Sequence, residues 1–353
     1  MLQYWHEFVK EQGGIFAGPN LLHFGLPQQE LSALGIQDCI IPLTTLGTLS
    51  FHGVDAKQFL QGQITSNVND ITPQQSGLSA HCNLKGRMQS LFRIFQIETP
   101  PASTYHLCMP TEIIDSALLD FKKYALFSKV TIESAQHIVG LGLYGPTADA
   151  RLYEHIPQTK TLLKPYDCLT QIIGGATYTI CRLPGQHPRY DIWAKPEDMS
   201  NLWLRLITHC KPVLPTSWEL LEIQSGIPTI YQKTIGEILP HHANLSILNG
   251  ISYTKGCYLG QEIIARMQYK GKIKKHLYRA FIQDSKEKPT PGALVYADVP
   301  SNESGIVLRV AENSYGAIEL LLVLDDQANN FNNVCLYSAD GPKVHRLDLP
   351  YSW

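Results

Sequence analysis

Apolar residues in the first 270 positions recur at two different spacings. A helical spacing predicts a helix over 111–124, and strict alternation from Val139 predicts a strand that ends at Gly145. The same mixture returns further along, with a strand over 178–183 and a helix whose apolar face covers 199–207. Because strands and helices are mixed in this way twice, the pattern predicts two α+β lobes of one bilobed domain.

Two shorter signals lie within the first of these lobes. Residues 55–64 suit a short helix, with apolar side chains on neighbouring turns. Residues 80–97 are typical of a β-hairpin with Lys85 and Gly86 at its turn.

The pattern changes after about Lys275, where the helical spacing disappears. Short apolar runs separated by Pro, Gly and Asn follow at 277–282, 293–296, 305–310 and 318–324. Such runs predict a small all-β barrel. We therefore divide the chain into a loose, glycine-containing N-terminal extension (1–40), the bilobed domain (41–272) and the barrel (273–353).

Composition supports a folded chain and gives no sign of a general polyanion binder. The 353 residues are 44% hydrophobic and 17% charged, which is enough for two or three domains with cores. The net charge of −2 provides no global field toward nucleic acid or anionic membrane. No stretch approaches the ~18 apolar residues of a membrane span. The start of the chain lacks the features of a targeting sequence, so we expect a soluble, cytoplasmic protein with no membrane partner.

Eight cysteines are scattered along the chain without a CxxC pair, so no local zinc or iron–sulfur motif is present. In a reducing compartment we expect these thiols to stay free. His241 and His242 are adjacent but lack a third ligand in the sequence, so we predict no metal site.

The densest candidate site is the stretch 250–262, which reads GISYTKGCYLGQE. Glycines flank Cys257, and Lys255 lies two residues before it. A nearby cation stabilises a thiolate, and glycine allows a ligand to approach the backbone closely. The alternative is that Cys257 is a small residue packed in a tight turn between a strand and a helix. The residues alone leave these two readings balanced.

A basic run follows directly, from Arg266 to Arg279, with no acid between Glu262 and Asp284. Such a cluster could receive a polyanion, either the glutamate tail of folate or an RNA backbone. The alternative is a solvated strand surface.

Four collinear segments resemble the YgfZ family, relatives of the glycine-cleavage T-protein. They are FLQGQIT (59–65), AHCNLKG (80–86), KKYALFSKV (122–130) and the stretch from Ser225 to Arg279 that contains KGCYLGQE. The resemblance runs from about Pro42 to the C-terminus.

This resemblance implies a glycine-cleavage T-protein-like, bilobed folate-binding domain with a terminal barrel. It implies tetrahydrofolate, or a one-carbon derivative, in a central channel, and iron–sulfur enzymes or assembly proteins as partners. One of those enzymes thiomethylates tRNA, so tRNA would be an indirect partner. The resemblance makes Cys257 the functional thiol, oriented by Lys255. The folate-binding positions it implies are Asn83, Lys85, Gln224, Tyr258, Gly260, Gln261, Glu262 and Arg266.

The sequence departs from the resemblance at several positions. The aminomethyltransferase relatives carry an acidic pair where this chain has Ser90 and Leu91, and leucine cannot accept a proton. Glycine cleavage is therefore not expected, and catalysis stays an open question. Asn83 and Gln224 replace an aspartate and a pterin-binding glutamate. We expect Glu222, on the same side of a predicted strand, to compensate for Gln224.

Three functions are consistent with these residues. The first is a folate-binding accessory factor for assembly or repair of iron–sulfur enzymes. The second is a folate-dependent one-carbon transferase, of the aminomethyl type, acting on a non-lipoyl acceptor such as RNA. The third is a module that binds tRNA or a modifying enzyme without catalysis.

Overall fold

The structure is a computed structural model that describes residues 2–98, 103–283, 288–297 and 305–352. Over these residues it contains three large β-sheets, a small hairpin and eight α-helices.

The leading segment is folded onto the second lobe rather than loose, so that part of the prediction is wrong. Its elements are α1 (Leu2–Glu11), β1 (Ile15–Ala17), β2 (Asn20–His23), α2 (Pro27–Leu31) and β3 (Cys39–Pro42). Trp5 and Phe8 pack edge-on against Trp203, with ring centroids 6.1 and 6.2 Å apart. The sequence pattern did not predict α1 because its buried apolar face has only three residues. The glycines that follow it, between 13 and 25, suggested a loose segment.

The first lobe is a five-stranded antiparallel sheet with two helices packed on it. Its elements are β4 (Leu46–His52), α3 (Ala56–Gln63), β5 (Gly77–Cys82), β6 (Met88–Ile97), β7 (Thr104–Pro110), α4 (Ile114–Tyr124) and β8 (Thr131–Ser134). The strand order is β5-β6-β7-β4-β8. The predicted short helix, the hairpin with Lys85 and Gly86 in its turn, and the helix ending at Tyr124 are confirmed.

The second lobe is a six-stranded sheet that also takes in β3. Its elements are β9 (Val139–Tyr144), α5 (Ala148–His155), β10 (Cys168–Ile173), β11 (Ala176–Leu183), β12 (Arg189–Ala194), α6 (Pro196–Leu206) and β13 (Lys211–Pro212). The order is β10-β11-β12-β9-β3-β13, with only β3 and β13 parallel. The predicted α+β class is confirmed.

The next helix, α7 (Thr216–Gln224), lies where a strand was predicted, so the expectation that Glu222 and Gln224 share a strand face is wrong. Nearly every residue from Ser217 to Ile223 is buried, on all sides of the helix. A helix buried all round has no polar face, and its sequence shows no helical period.

The C-terminal part begins after α8 (Gln261–Lys270) and is all-β, as predicted. Its strands are β14 (Lys275–Ile282), β15 (Leu294–Ala297), β16 (Gly305–Glu312), β17 (Ile318–Asp325), β18 (Val334–Leu336) and β19 (His345–Leu347). They form an antiparallel sheet in the order β18-β15-β16-β17-β14-β19, curled into a half-barrel. Helix α7 packs against β16 and β17, so it lies between the barrel and the two lobes.

A buried charge cluster joins these three parts around α7. It consists of Arg93 from the first lobe, Arg189 and Asp191 from the second, Glu219 and Glu222 from α7, and Arg309 from the barrel. Glu222 is 2.7 Å from Arg189, 3.0 Å from Arg93 and 3.6 Å from Arg309. Three guanidinium groups face three carboxylates, so the cluster is formally neutral and ties the parts together at one point.

Candidate functional site

The KGCY segment lies against the end of α3 and the strand that follows it. The Thr65 hydroxyl donates to the carbonyl of Gly250 at 2.6 Å, and the amide of Ser252 donates to the carbonyl of Thr65 at 2.9 Å. Further along, the amide of Leu259 donates to the carbonyl of Gly62. The segment is thus held by the first lobe on both sides of Cys257.

Two glycines bring α8 against the turn of the β5–β6 hairpin. Gly260, with φ +79°, precedes the helix, and a Cβ there would lie 2.6 Å from the carbonyl oxygen of Asn83. Gly86 has φ +71°, and a Cβ there would lie 3.0 Å from the Cβ of Ile263 on α8. Both positions require a left-handed backbone that glycine adopts without strain. The structure therefore brings together Asn83, Gly260 and the first turn of α8.

The Asn83 side chain has a local structural task. Its Oδ1 accepts from the backbone amides of Lys85 at 2.9 Å and Arg87 at 3.1 Å, which fixes the hairpin turn. The amide oxygen is thereby used within the turn, while the Lys85 side chain is exposed.

Lys255 points its ammonium group into the first lobe. Its Nζ donates to the carbonyls of Ile64 at 2.7 Å and Ser66 at 2.8 Å, and lies 4.8 Å from the ring centroid of Tyr258, which is buried. Burial lowers the pKa of Lys255 to about 7. The two carbonyl oxygens favour the ammonium form, so this side chain anchors the turn that carries Cys257.

Cys257 is the exposed thiol of the chain, and the other seven cysteines are buried. A Cβ added at the neighbouring Gly256 would meet nothing within 4 Å, so the surroundings of the thiol are open. On α8, Glu262 and Arg266 are exposed and Gln261 is half-buried. The basic run does not act as one cluster, because Arg279 forms an ion pair with Glu319 at 2.7 Å.

A cavity of about 750 Å³ lies between the second lobe, α7 and the C-terminal segment. Gln224 lies on its wall, with the apolar side chains of Leu221, Ile227, Leu248 and Leu349. The Tyr351 hydroxyl donates to the carbonyl of Gly226 at 2.7 Å and holds the C-terminal segment over the cavity.

Tyr166 is a polar residue of this wall that the sequence analysis missed. Its hydroxyl is buried without a hydrogen-bond partner among the described residues, and burial raises its pKa. Its backbone has φ +72°, a conformation that a bulky residue adopts only when its surroundings enforce it. No local sequence signal marks such a position, since the strain arises from the tertiary packing.

Of the predicted folate-binding residues, Gln224 alone lies among the described residues that line the cavity. The stretch that contains KGCY nevertheless begins at the cavity. Asn249 lines the cavity, and the next residue, Gly250, accepts the hydrogen bond from Thr65 that holds this stretch on the first lobe.

Glu222 does not line the cavity, so the expectation that it compensates for Gln224 is wrong. Its side chain is only 1% exposed and is held by Arg93 and Arg189. Burial alone would raise the pKa of this carboxyl, but Arg189, Arg93 and Arg309 together hold it below its ordinary value. The carboxylate is committed to the buried charge cluster.

Ser90 and Leu91, where the aminomethyltransferases carry acids, are both buried on β6. Leu91 belongs to the apolar core of the first lobe.

His241 and His242 are also largely buried, and desolvation lowers the pKa of each to about 4. In the parts of the chain that the structure describes, no three His, Cys, Asp or Glu side chains gather as metal ligands would. No helix there is long and apolar enough to cross a bilayer.

Among solved structures, the chain is similar to the glycine cleavage system aminomethyltransferase T from Bartonella henselae. The TM-score is 0.78, the sequence identity is 13%, and the match covers 98% of this chain and 96% of that one. The chain therefore has the fold of the aminomethyltransferase T proteins.

Curated relatives are proteins named tRNA-modifying protein YgfZ. The relative from Photobacterium profundum is 31% identical over 332 residues, covering 91% of this chain and 95% of its own. The relative from Colwellia psychrerythraea is 36% identical over 241 residues, covering 68% and 70%. The chain belongs to the YgfZ family, as the sequence motifs predicted. No protein-family model matches it.

Proposed function

We propose that the protein is a tetrahydrofolate-binding accessory factor of the cytoplasm that supports iron–sulfur enzymes, including one that modifies tRNA. The observation that carries the proposal is the cavity beside the KGCY segment, whose wall includes Gln224 and Tyr166. The names of the relatives and the T-like fold supply the link to tRNA modification and to folate.

The cavity suits a reduced pterin in size and chemistry. Its 750 Å³ lies within the range of about 300–1,000 Å³ typical of small-molecule sites. Apolar walls would enclose the pterin ring. The Gln224 amide can both donate and accept hydrogen bonds, and the edge of a pterin ring carries both donors and acceptors. Tyr166 would contribute its ring to this wall, since its hydroxyl is buried near Glu222, Arg93 and Arg189.

A glutamine in place of the usual carboxylate weakens but does not remove this recognition. An amide has one acceptor oxygen, so charge assistance to the pterin is lost at a cost of about 1–2 kcal/mol. Arg279 also lies on the cavity wall but is paired with Glu319, so Arg266 on α8 stays the position that the family resemblance implies for the folate glutamate tail.

Cys257 would act toward a partner rather than toward the cavity interior. Its side chain is exposed and does not belong to the described lining, so an iron–sulfur protein could reach it directly. Lys255 and Gly260 would hold the turn in place through their contacts with the first lobe.

The test is complementation of a bacterial strain that lacks its own member of this family. We expect the wild-type chain to restore the thiomethylated nucleosides of tRNA, measured by mass spectrometry, and Cys257→Ser and Gln224→Ala to fail. Thr254→Ala, an exposed neighbour, is the matched control and should restore them. Full restoration by Cys257→Ser would remove the thiol from the function, and no restoration by the wild-type chain would refute the proposal.

A further inference from the structure

An exposed apolar tip follows α4 in the KKYALFSKV motif, which the proposed function leaves unused. We define the Lys122–Lys129 tip as residues 122–129. Phe127 is 95% exposed and Leu126 is 79% exposed, side by side in the chain, and Tyr124 is 43% exposed. Adjacent large apolar side chains exposed to this degree are unusual on a soluble surface and mark a contact site.

The tip is rigidly held although its side chains point outward. The amide of Lys129 donates to the Asp55 carboxylate at 2.7 Å, and the amide of Asp55 donates to the carbonyl of Lys129 at 3.3 Å. Ser128 closes a turn onto Ala125 at 3.0 Å. Gly53, with φ +123°, lets the Lys129 carbonyl approach where a Cβ would clash. A preorganised loop loses little entropy on binding, which suits a docking element.

The charges around the tip select one class of partner. Lys122, Lys123 and Lys129 are exposed, and no acid occurs between 121 and 132. Asp120 pairs with Lys123, which leaves Lys122 and Lys129 as the cations beside the aromatic rings. Lysine is depleted at protein–protein interfaces, whereas cations interleaved with exposed aromatic rings are typical of surfaces that bind single-stranded nucleic acid.

The tip and the exposed thiol flank the same helix. Phe59 on α3 packs against Phe121 at the base of the tip, with ring centroids 6.5 Å apart. The backbone amide of Leu259 donates to the carbonyl of Gly62 near the end of the same helix. An RNA strand docked at the tip would therefore lie next to α3, which also contacts the KGCY segment.

We propose that the Lys122–Lys129 tip binds an unpaired segment of RNA, with a base stacked on Phe127 and phosphates on Lys122 and Lys129. The identity of the RNA as tRNA rests on the proposed function. The binding surface itself rests only on the exposure and charge of the tip.

The experiment measures fluorescence anisotropy of a labelled, mixed-sequence, 12-nucleotide single-stranded RNA with the full chain. Phe127→Leu keeps an apolar side chain but removes the ring, and we expect it to weaken binding by at least about fivefold, because a stacked base contributes that much or more. Phe127→Trp should bind as well as the wild type. The matched control is Tyr315→Leu, which removes an equally exposed ring (93%) on the barrel and should change nothing.

The lysines have a separate readout in the salt dependence. Each phosphate contact on a single strand contributes about −0.7 to the slope of log K against log salt concentration, so Lys122→Ala with Lys129→Ala should reduce the slope by about 1.4. A 12-base-pair duplex RNA should bind more weakly than the single strand, because its bases are not free to stack on Phe127.

Several results would overturn the proposal. They are equal affinities for Phe127→Leu and Tyr315→Leu, equal affinity for duplex and single strand, or no RNA binding at low salt. Failed complementation by Phe127→Leu with RNA affinity unchanged would assign the tip to a protein partner instead. Folate titration of Phe127→Leu separates the two proposals, since folate binding should be intact whether or not RNA binds at the tip.

Discussion

Replacing Glu222 with glutamine would remove one negative charge from the point where both lobes and the barrel meet. Glu222 has a side-chain exposure of 1%, and its partners Arg93 and Arg189 are 9% and 1% exposed. The substitution keeps the shape of the side chain but leaves three buried guanidinium groups facing only Asp191 and Glu219. Solvent cannot compensate for the missing charge at this depth.

The expected cost follows from the burial of the pairs. Breaking a buried ion pair by removing one partner costs about 3–5 kcal/mol, and the amide oxygen still accepts one hydrogen bond, so we expect about 3 kcal/mol. With an unfolding entropy of about 2.1 cal/mol/K per residue over 353 residues, this corresponds to a decrease in Tm of about 4 °C if the chain unfolds as one unit.

The pH dependence has a definite sign. The folded-state pKa of Glu222 is held below its ordinary value by Arg189, Arg93 and Arg309, in spite of burial. Its contribution to stability is therefore present above the unfolded pKa of about 4.3 and is lost as the pH falls through the folded pKa. The difference in Tm between wild type and Glu222→Gln should be constant from pH 8 to 5 and should narrow below about pH 4.3.

Differential scanning calorimetry of both proteins across this pH range is the assay. The control is Glu312→Gln, because the pair of Glu312 with Lys288 is partly exposed, at 28% and 68%, and such pairs contribute only about 0–1 kcal/mol. If Glu222→Gln lowers Tm no more than Glu312→Gln does, the buried charge cluster does not hold the lobes and barrel together.

Two further predictions concern the KGCY segment. Gly260→Ala forces a left-handed backbone on alanine and a close contact with the Asn83 carbonyl, so it should lower the free energy of unfolding in urea by more than about 2 kcal/mol. The control Gly256→Ala lies in open space and should leave stability unchanged. Equal effects of the two substitutions would contradict the packing described. Native protein should show one fast-reacting thiol with Ellman's reagent, and Cys257→Ser should show none; a second fast thiol would contradict the burial of the other seven cysteines.

The elements with a clear period could be predicted from the sequence. The alternation from Val139, the hairpin around Lys85 and the short apolar runs after Lys275 all correspond to observed strands. Helix α7 could not be predicted, because burial on all sides removes the polar face that would show its period. The packing of Trp5 on Trp203 joins residues almost 200 positions apart, and no local pattern indicates it.

The candidate site, like the fold, could be predicted from the sequence only in part. The resemblance named Asn83 and Gly260 as site positions, but their packing against each other through Gly260 and Gly86 appears only in the structure. Tyr166 depends on a backbone conformation enforced by its surroundings, and the engagement of Glu222 depends on arginines from three separate parts of the chain. Such long-range pairings are set by the fold and leave no local trace in the sequence.

Calorimetric titration with 5-formyltetrahydrofolate tests most directly the proposal that the cavity binds a reduced folate. The account predicts micromolar binding, about 5- to 30-fold tighter for Gln224→Glu because a carboxylate restores about 1–2 kcal/mol. It predicts no change for Tyr166→Phe, which keeps the ring on the cavity wall, or for Tyr315→Phe on the barrel. Absence of binding by the wild-type chain, or equal affinities for all four proteins, would contradict the claim that this cavity binds a reduced folate.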